Sequence, residues 1–118
     1  GPFQIKAAIA ALHCETQVDW PQIAALYSRL RALEPTPVVA LNHAVALAEA
    51  GDRETALLRL VELQDELADY QPFHAAHAEL LSRTGRTAEA SAAYATAIRL
   101  AASPADRAFL QARLAALG

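Results

Sequence analysis

The 118-residue sequence has one cysteine, no methionine and 6% aromatic residues. A lone thiol excludes a disulfide scaffold, and neither CxxC nor HExxH, the usual marks of a zinc site, occurs. No uninterrupted apolar run approaches the ~18 residues that a membrane helix needs. Basic residues are short as well: Lys and Arg number 10 against 13 Asp and Glu, for a net charge of −3. With no cationic excess to neutralise a phosphate backbone, autonomous nucleic-acid binding is not expected. Val and Ile are scarce, too few β-branched side chains for a sheet. The absence of methionine reads as an interior piece of a longer, cytoplasmic protein.

What the sequence has is alanine and leucine, which dominate a 54% hydrophobic fraction. Both are strong helix formers, so the expectation is an all-α chain forming one compact unit. A period of roughly 33–34 residues, that of one helical hairpin stacked on the next, runs through it. Ala11, Ala44 and Ala78 share a column; so do Ile23, Ala56 and Ala90; Tyr27, Leu60 and Tyr94; and Leu30, Leu63 and Ala97. The turn positions Asp19-Trp20, Gly51-Asp52 and Gly85-Arg86 agree with these columns to within a residue or two. Small residues where helices cross, with a larger one four places on, are the pattern of stacked helical hairpins of the tetratricopeptide (TPR) kind. The spacing predicts hairpins over about 3–35, 36–69 and 71–102, and a capping helix over 104–117, wound into a right-handed superhelix.

Capping signals set the expected helix limits. Asp19-Trp20-Pro21-Gln22 and Ser103-Pro104-Ala105-Asp106 read as capping boxes with Pro in the first turn, where its missing N–H costs nothing. Thr36, Asp52 and Thr87 are expected to open the third, fourth and sixth helices, and Gly51 and Gly85 to close the third and fifth. The fourth helix is expected to last to about Ala68, and in the seventh Phe109, Leu110, Leu114 and Leu117 to face the sixth while Arg107, Gln111 and Arg113 face water.

These residues resemble the C-terminal TPR-like extension of bacterial extracytoplasmic-function (ECF) RNA polymerase sigma factors. The resembling segments are Gly1-Pro2-Phe3-Gln4, Asp19-Trp20 with Gln22-Ile23 and Leu26-Tyr27, Pro37 to Asn42 continuing into Ala44-Val45-Ala46, His74-Ala75-Ala76-His77-Ala78, Gly85 to Ala90, Ala93-Tyr94 and Phe109-Leu110. Phe3 stands where the family more often has Tyr, and His43 where it usually has Arg. Gly1-Pro2 also matches the pair left when a protease removes a tag. The resemblance implies a regulatory, protein-binding domain without chemistry of its own. Its partners would be the sigma-factor core domains, RNA polymerase or a regulatory protein, with DNA contacted only through upstream domains. The alternative is a general TPR adaptor that binds a peptide and has no link to transcription.

In a TPR stack the first helix of each hairpin lines the groove, which assigns protein binding to Leu12, Leu41, Asn42, Val45, Glu49, Glu79 and Arg83, alongside Ile5, Ala8, Glu15 and Ser82. Such a lining suits an apolar or amphipathic helix. A carboxylate clamp is not expected: Asn42 fits one of its positions, but Ala8, Leu12, Pro72 and Ala76 fill the others. His43, His74 and His77 invite a metal reading, with Cys14 as a fourth ligand. A packing or hydrogen-bonding role is preferred, with Cys14 a core thiol in the column of Leu47 and Leu81. Trp20, Tyr27 and Tyr94 are expected in the core. Glu62, Asp65, Glu66 and Asp69 form a solvated helix face or a dock for a basic surface. No nucleophile elbow, Ser-His-Asp order or Gly-rich phosphate loop occurs, so neither catalysis nor a cofactor is expected.

Overall fold

Asp19, Thr36, Asp52 and Ser103 each place a side-chain oxygen 3.1 to 3.3 Å from the backbone N–H three residues on, satisfying a donor that the helix itself leaves unpaired. These caps open four of the seven helices in the computed structural model, which describes residues 1–117. Gly118, included in the expected domain span, lies outside the described residues. The helices are α1 (Pro2–His13), α2 (Trp20–Leu33), α3 (Pro37–Glu49), α4 (Arg53–Glu62), α5 (Gln71–Arg83), α6 (Thr87–Leu100) and α7 (Pro104–Ala115). The described residues contain no strand, so the chain is all-α.

Two helices end on the same device. Gly51 and Gly85 have φ of +106° and +77°, and the residue after each donates its N–H back to the helix: Asp52 to the Leu47 carbonyl and Arg86 to the Leu81 carbonyl, both at 2.9 Å. With the glycine N–H bonded to Ala48 and Ser82 respectively, both turns are Schellman motifs, one repeat period apart. Thr87, expected to cap α6, is its first helical residue. Arg86 stands at the cap without a side-chain bond, its position fixed by the preceding turn.

The helices gather into two compact units divided between Glu66 and Leu67. In the first, α2 packs on both α1 and α3, and α3 on α4. Its core joins Ile5 and Ile9 of α1, Ile23, Ala24 and Leu30 of α2, and Val39 and Ala46 of α3, with Trp20, Tyr27 and Leu47 partly buried against them. Each fully buried large aliphatic contributes about 1.5–3 kcal/mol. In the second unit α6 packs on α5 and α7; Phe73, Leu80, Leu81 and Ala90 are buried there, and Ala78, Tyr94, Ala97, Ala101 and Leu110 form one core cluster, with Ile98, Leu114 and Leu117 against it.

Four expectations need correction. α4 stops at Glu62 rather than near Ala68. Leu63 and Gln64 bond to carbonyls three residues back, and 63–69 form turns. Glu62, Asp65, Glu66 and Asp69 bring negative charge to the carbonyl end of the helix, where the dipole disfavours it. Leu60, Leu63 and Leu67 nevertheless stay buried, so the apolar spacing outlasts the helix. Second, α1 ends at His13 and its column slips: Ala11 is exposed while Ala44 and Ala78 are buried, and Ile9 fills the interior position instead. Val18 occupies the column of Gly51, and a β-branched residue does not adopt positive φ, so no Schellman turn forms there. Third, Cys14 lies beyond the end of the shortened α1 and is exposed rather than core. Fourth, Phe109 is 63% exposed, because α7 turns the face carrying Leu110 and Leu114 inward.

Candidate functional site

An apolar cleft of about 280 Å³ opens in the first unit, lined by Lys6 and Ile9 of α1, Tyr27 and Leu30 of α2, and Val38, Val39 and Asn42 of α3. Val38 is 38% exposed within it, and burial raises the pKa of the Tyr27 phenol above its ordinary value. A salt bridge from Lys6 Nζ to Glu34 Oε2 at 2.9 Å ties α1 to the end of α2. The cleft can take an apolar side chain, with the exposed Asn42 amide offering both a donor and an acceptor.

Of the expected groove residues in this unit, Asn42 alone lines that cleft. Leu41 is buried at 3% and belongs to the interior; Leu12 packs partly buried against the core; Val45 and Glu49 are half-buried on α3. The slip in α1 explains the remainder: Ile5 is buried, Ala8 and Glu15 are exposed, and Lys6 and Ile9 replace them at the cleft.

Glu79 and Arg83, in the second unit, lie one turn apart on α5 and do meet. Glu79 Oε1 accepts from Arg113 Nη2 at 2.8 Å and lies 3.3 Å from Arg83 Nε, while Oε2 accepts from the buried Tyr94 hydroxyl at 2.9 Å. One carboxylate thus joins α5, α6 and α7. The Tyr94 pKa is raised, first by burial and then by the hydrogen bond to Glu79 and its charge, against opposing Arg113 and Arg83. Arg113, expected to face water, also stacks over the Phe109 ring at 5.7 Å, covering one face of that exposed aromatic.

A larger cleft of about 430 Å³, which the sequence reading missed, lies between the end of α2, the start of α3 and the end of α4. Ser28, Arg31, Thr36, Glu62 and Glu66 give it a polar lining over Pro35, Pro37 and Leu63. Pro35-Thr36-Pro37 signals the turn in the sequence, but nothing local shows that Leu63 and Glu66, past the end of α4, fold back beside it.

The three histidines that invite a metal reading do different things. His43 Nδ1 lies 3.2 Å from Arg31 Nη1; a guanidinium only donates, so Nδ1 is the acceptor and the ring proton sits on Nε2. Burial, then the charges of Arg31 and Arg59, lower the His43 pKa. His74 Nε2 donates to the Ala68 carbonyl at 2.7 Å. His77 is buried beside the Phe73 ring, and its pKa is lowered by burial and by His74 against an opposing Glu89. Among the described residues no three His, Cys, Asp or Glu side chains converge as a metal site. Trp20 is partly buried and meets the His13 ring edge-on at 5.2 Å.

No family model matches the chain, and no solved structure matches it. It is 41% identical over 118 residues to an uncharacterized protein of Rhizobium meliloti (strain 1021). That similarity takes in 97% of this chain and 28% of the relative, so the chain spans less than a third of the relative's length. No helix among the described residues is long and apolar enough to cross a membrane.

Proposed function

We propose that the chain is the non-catalytic regulatory extension of an ECF sigma factor, a TPR-like right-handed superhelix of three hairpins and a capping helix acting in the cytoplasm. The observation that carries this reading is the run of family-like segments from Gly1-Pro2-Phe3-Gln4 to Phe109-Leu110. The two Schellman turns, set one period apart, support the repeat, and a relative more than three times as long is consistent with an extension on a larger protein. In this reading the apolar cleft at Tyr27, Val38 and Asn42 receives a side chain from an amphipathic segment of the sigma core domains, the polymerase or a regulator. A partner that favours one of two arrangements shifts the balance between active and restrained factor.

The test is to delete residues 1–118 from the parent protein and measure transcription from its target promoter at matched protein level. A clear change in output is expected, and unchanged output overturns the proposal. The coding sequence of the parent is expected to specify a helix-turn-helix before Gly1. A parent without promoter-recognising modules leaves the peptide-binding adaptor in its place.

A further inference from the structure

Arg31 lines the larger cleft, and its contact with His43 joins α2 to α3 through a hydrogen bond that exists in one protonation state only. Nδ1 must be unprotonated to accept from Nη1 of Arg31 at 3.2 Å. The other charged groups lining the 430 Å³ cleft are Glu62 at the end of α4 and Glu66 in the following turn. The charged groups facing His43 are Arg31 from α2 and Arg59 from α4. Arg59 is in turn paired with Glu62, Nη1 to Oε1, at 3.4 Å.

We propose that the Arg31–His43 bond is an acid-opened latch: protonation at Nδ1 removes the acceptor, sets two cations together, and releases the guanidinium toward Glu62 and Glu66 across the same cleft. Closed, the latch holds Arg31 against α3. Open, it places a positive charge between two carboxylates and changes what the cleft can bind. Burial and the two neighbouring guanidiniums make protonation harder than in an unfolded chain, where a histidine titrates near ~6.5. The closed state therefore prevails at neutral pH, and the latch opens as pH falls through the folded-state value.

The test is a side-chain NMR titration of the ¹⁵N-labelled protein, with His43 assigned from its loss in His43→Gln. At pH about 7.5 the His43 ring is expected to carry its proton on Nε2, with a midpoint below that of the urea-unfolded chain. In Arg31→Gln that midpoint is expected to move up. The Arg31 Nε–H signal is expected to shift with the same midpoint as His43, and the size of this shift to change in Glu62→Gln/Glu66→Gln, where the released guanidinium meets no carboxylate. A proton on Nδ1 at neutral pH, or a His43 midpoint unmoved by Arg31→Gln, overturns the latch. An Arg31 signal that stays still as His43 titrates overturns the release toward the carboxylates. The wild-type titration stands on its own should a variant fail to fold.

Discussion

Ile23 in α2 and Ala90 in α6 occupy one repeat column and are both at 0% exposure, yet one is bulky and branched and the other a single methyl. The first hairpin fills the space between its helices with Ile5, Ile9, Ile23 and Leu30. The second unit sets Ala78 and Ala97 beside Tyr94. The turns differ in parallel. α5 and α6 are joined through a left-handed glycine that fixes where the second helix starts, whereas α1 and α2 are joined by a longer connection over 14–19 without one. In the column of Ile23, Ala56 and Ala90 equal spacing thus marks an interior position, whereas in that of Ala11 it does not. How closely the helices approach there follows from side-chain size and turn geometry together.

Exchanging the two sizes gives the largest expected effects. Ile23→Ala leaves a cavity in the first core and is expected to cost about 2–5 kcal/mol, while Ala90→Ile overfills its site and is expected to cost about 1–3 kcal/mol. Urea unfolding of both variants checks this. If Ala90→Ile is neutral, the second unit has room that its full burial denies, and the contrast fails. Next comes the turn. A Cβ on Gly85 meets nothing within 4 Å, so Gly85→Ala isolates the backbone strain at φ +77°, about 1–2 kcal/mol. A fall in stability smaller than ~0.5 kcal/mol would mean that the turn relaxes out of the left-handed region. The smallest effect is expected at the polar tie of the second unit. Glu79→Gln keeps an acceptor for Tyr94 but loses the charge facing Arg113 and Arg83, at about 0.5–1 kcal/mol for these partly exposed pairs. Thermal melts at low and high salt are expected to converge for this variant more than for the wild type, since only the wild type has these ion pairs to screen.

Helix starts were the most legible feature because a cap is a local contract between one side chain and a backbone N–H three residues away. Asp19, Thr36, Asp52 and Ser103 all act as their sequence context implies. Gly51 and Gly85 were legible for the same reason. The early end of α4 was hidden because Leu60, Leu63 and Leu67 keep a helical apolar spacing through a segment that is no longer helix. The slip of α1 was hidden because Ala7, Ala8, Ala10 and Ala11 fit any face of a helix equally well, leaving Ile5 and Ile9 to decide which side turns inward. As for the candidate site, Asn42, expected in a groove, lines the smaller cleft, whereas Glu79 and Arg83, expected in the same groove, line neither cleft and are tied to each other. The larger cleft depends on where a turn folds back, and the Arg31–His43 contact joins side chains on different helices. Neither leaves a signal in a single stretch of sequence.

The exposure of Cys14 has a practical corollary for handling the protein. As the sole thiol in the sequence, standing in solvent past the end of α1, it has no second cysteine here to pair with. Any disulfide that this segment forms on its own therefore links one molecule to another, and stored samples need a reductant. By the same token a single maleimide dye goes to one known place, so fluorescence can follow the fraying of α1 without any engineered attachment point.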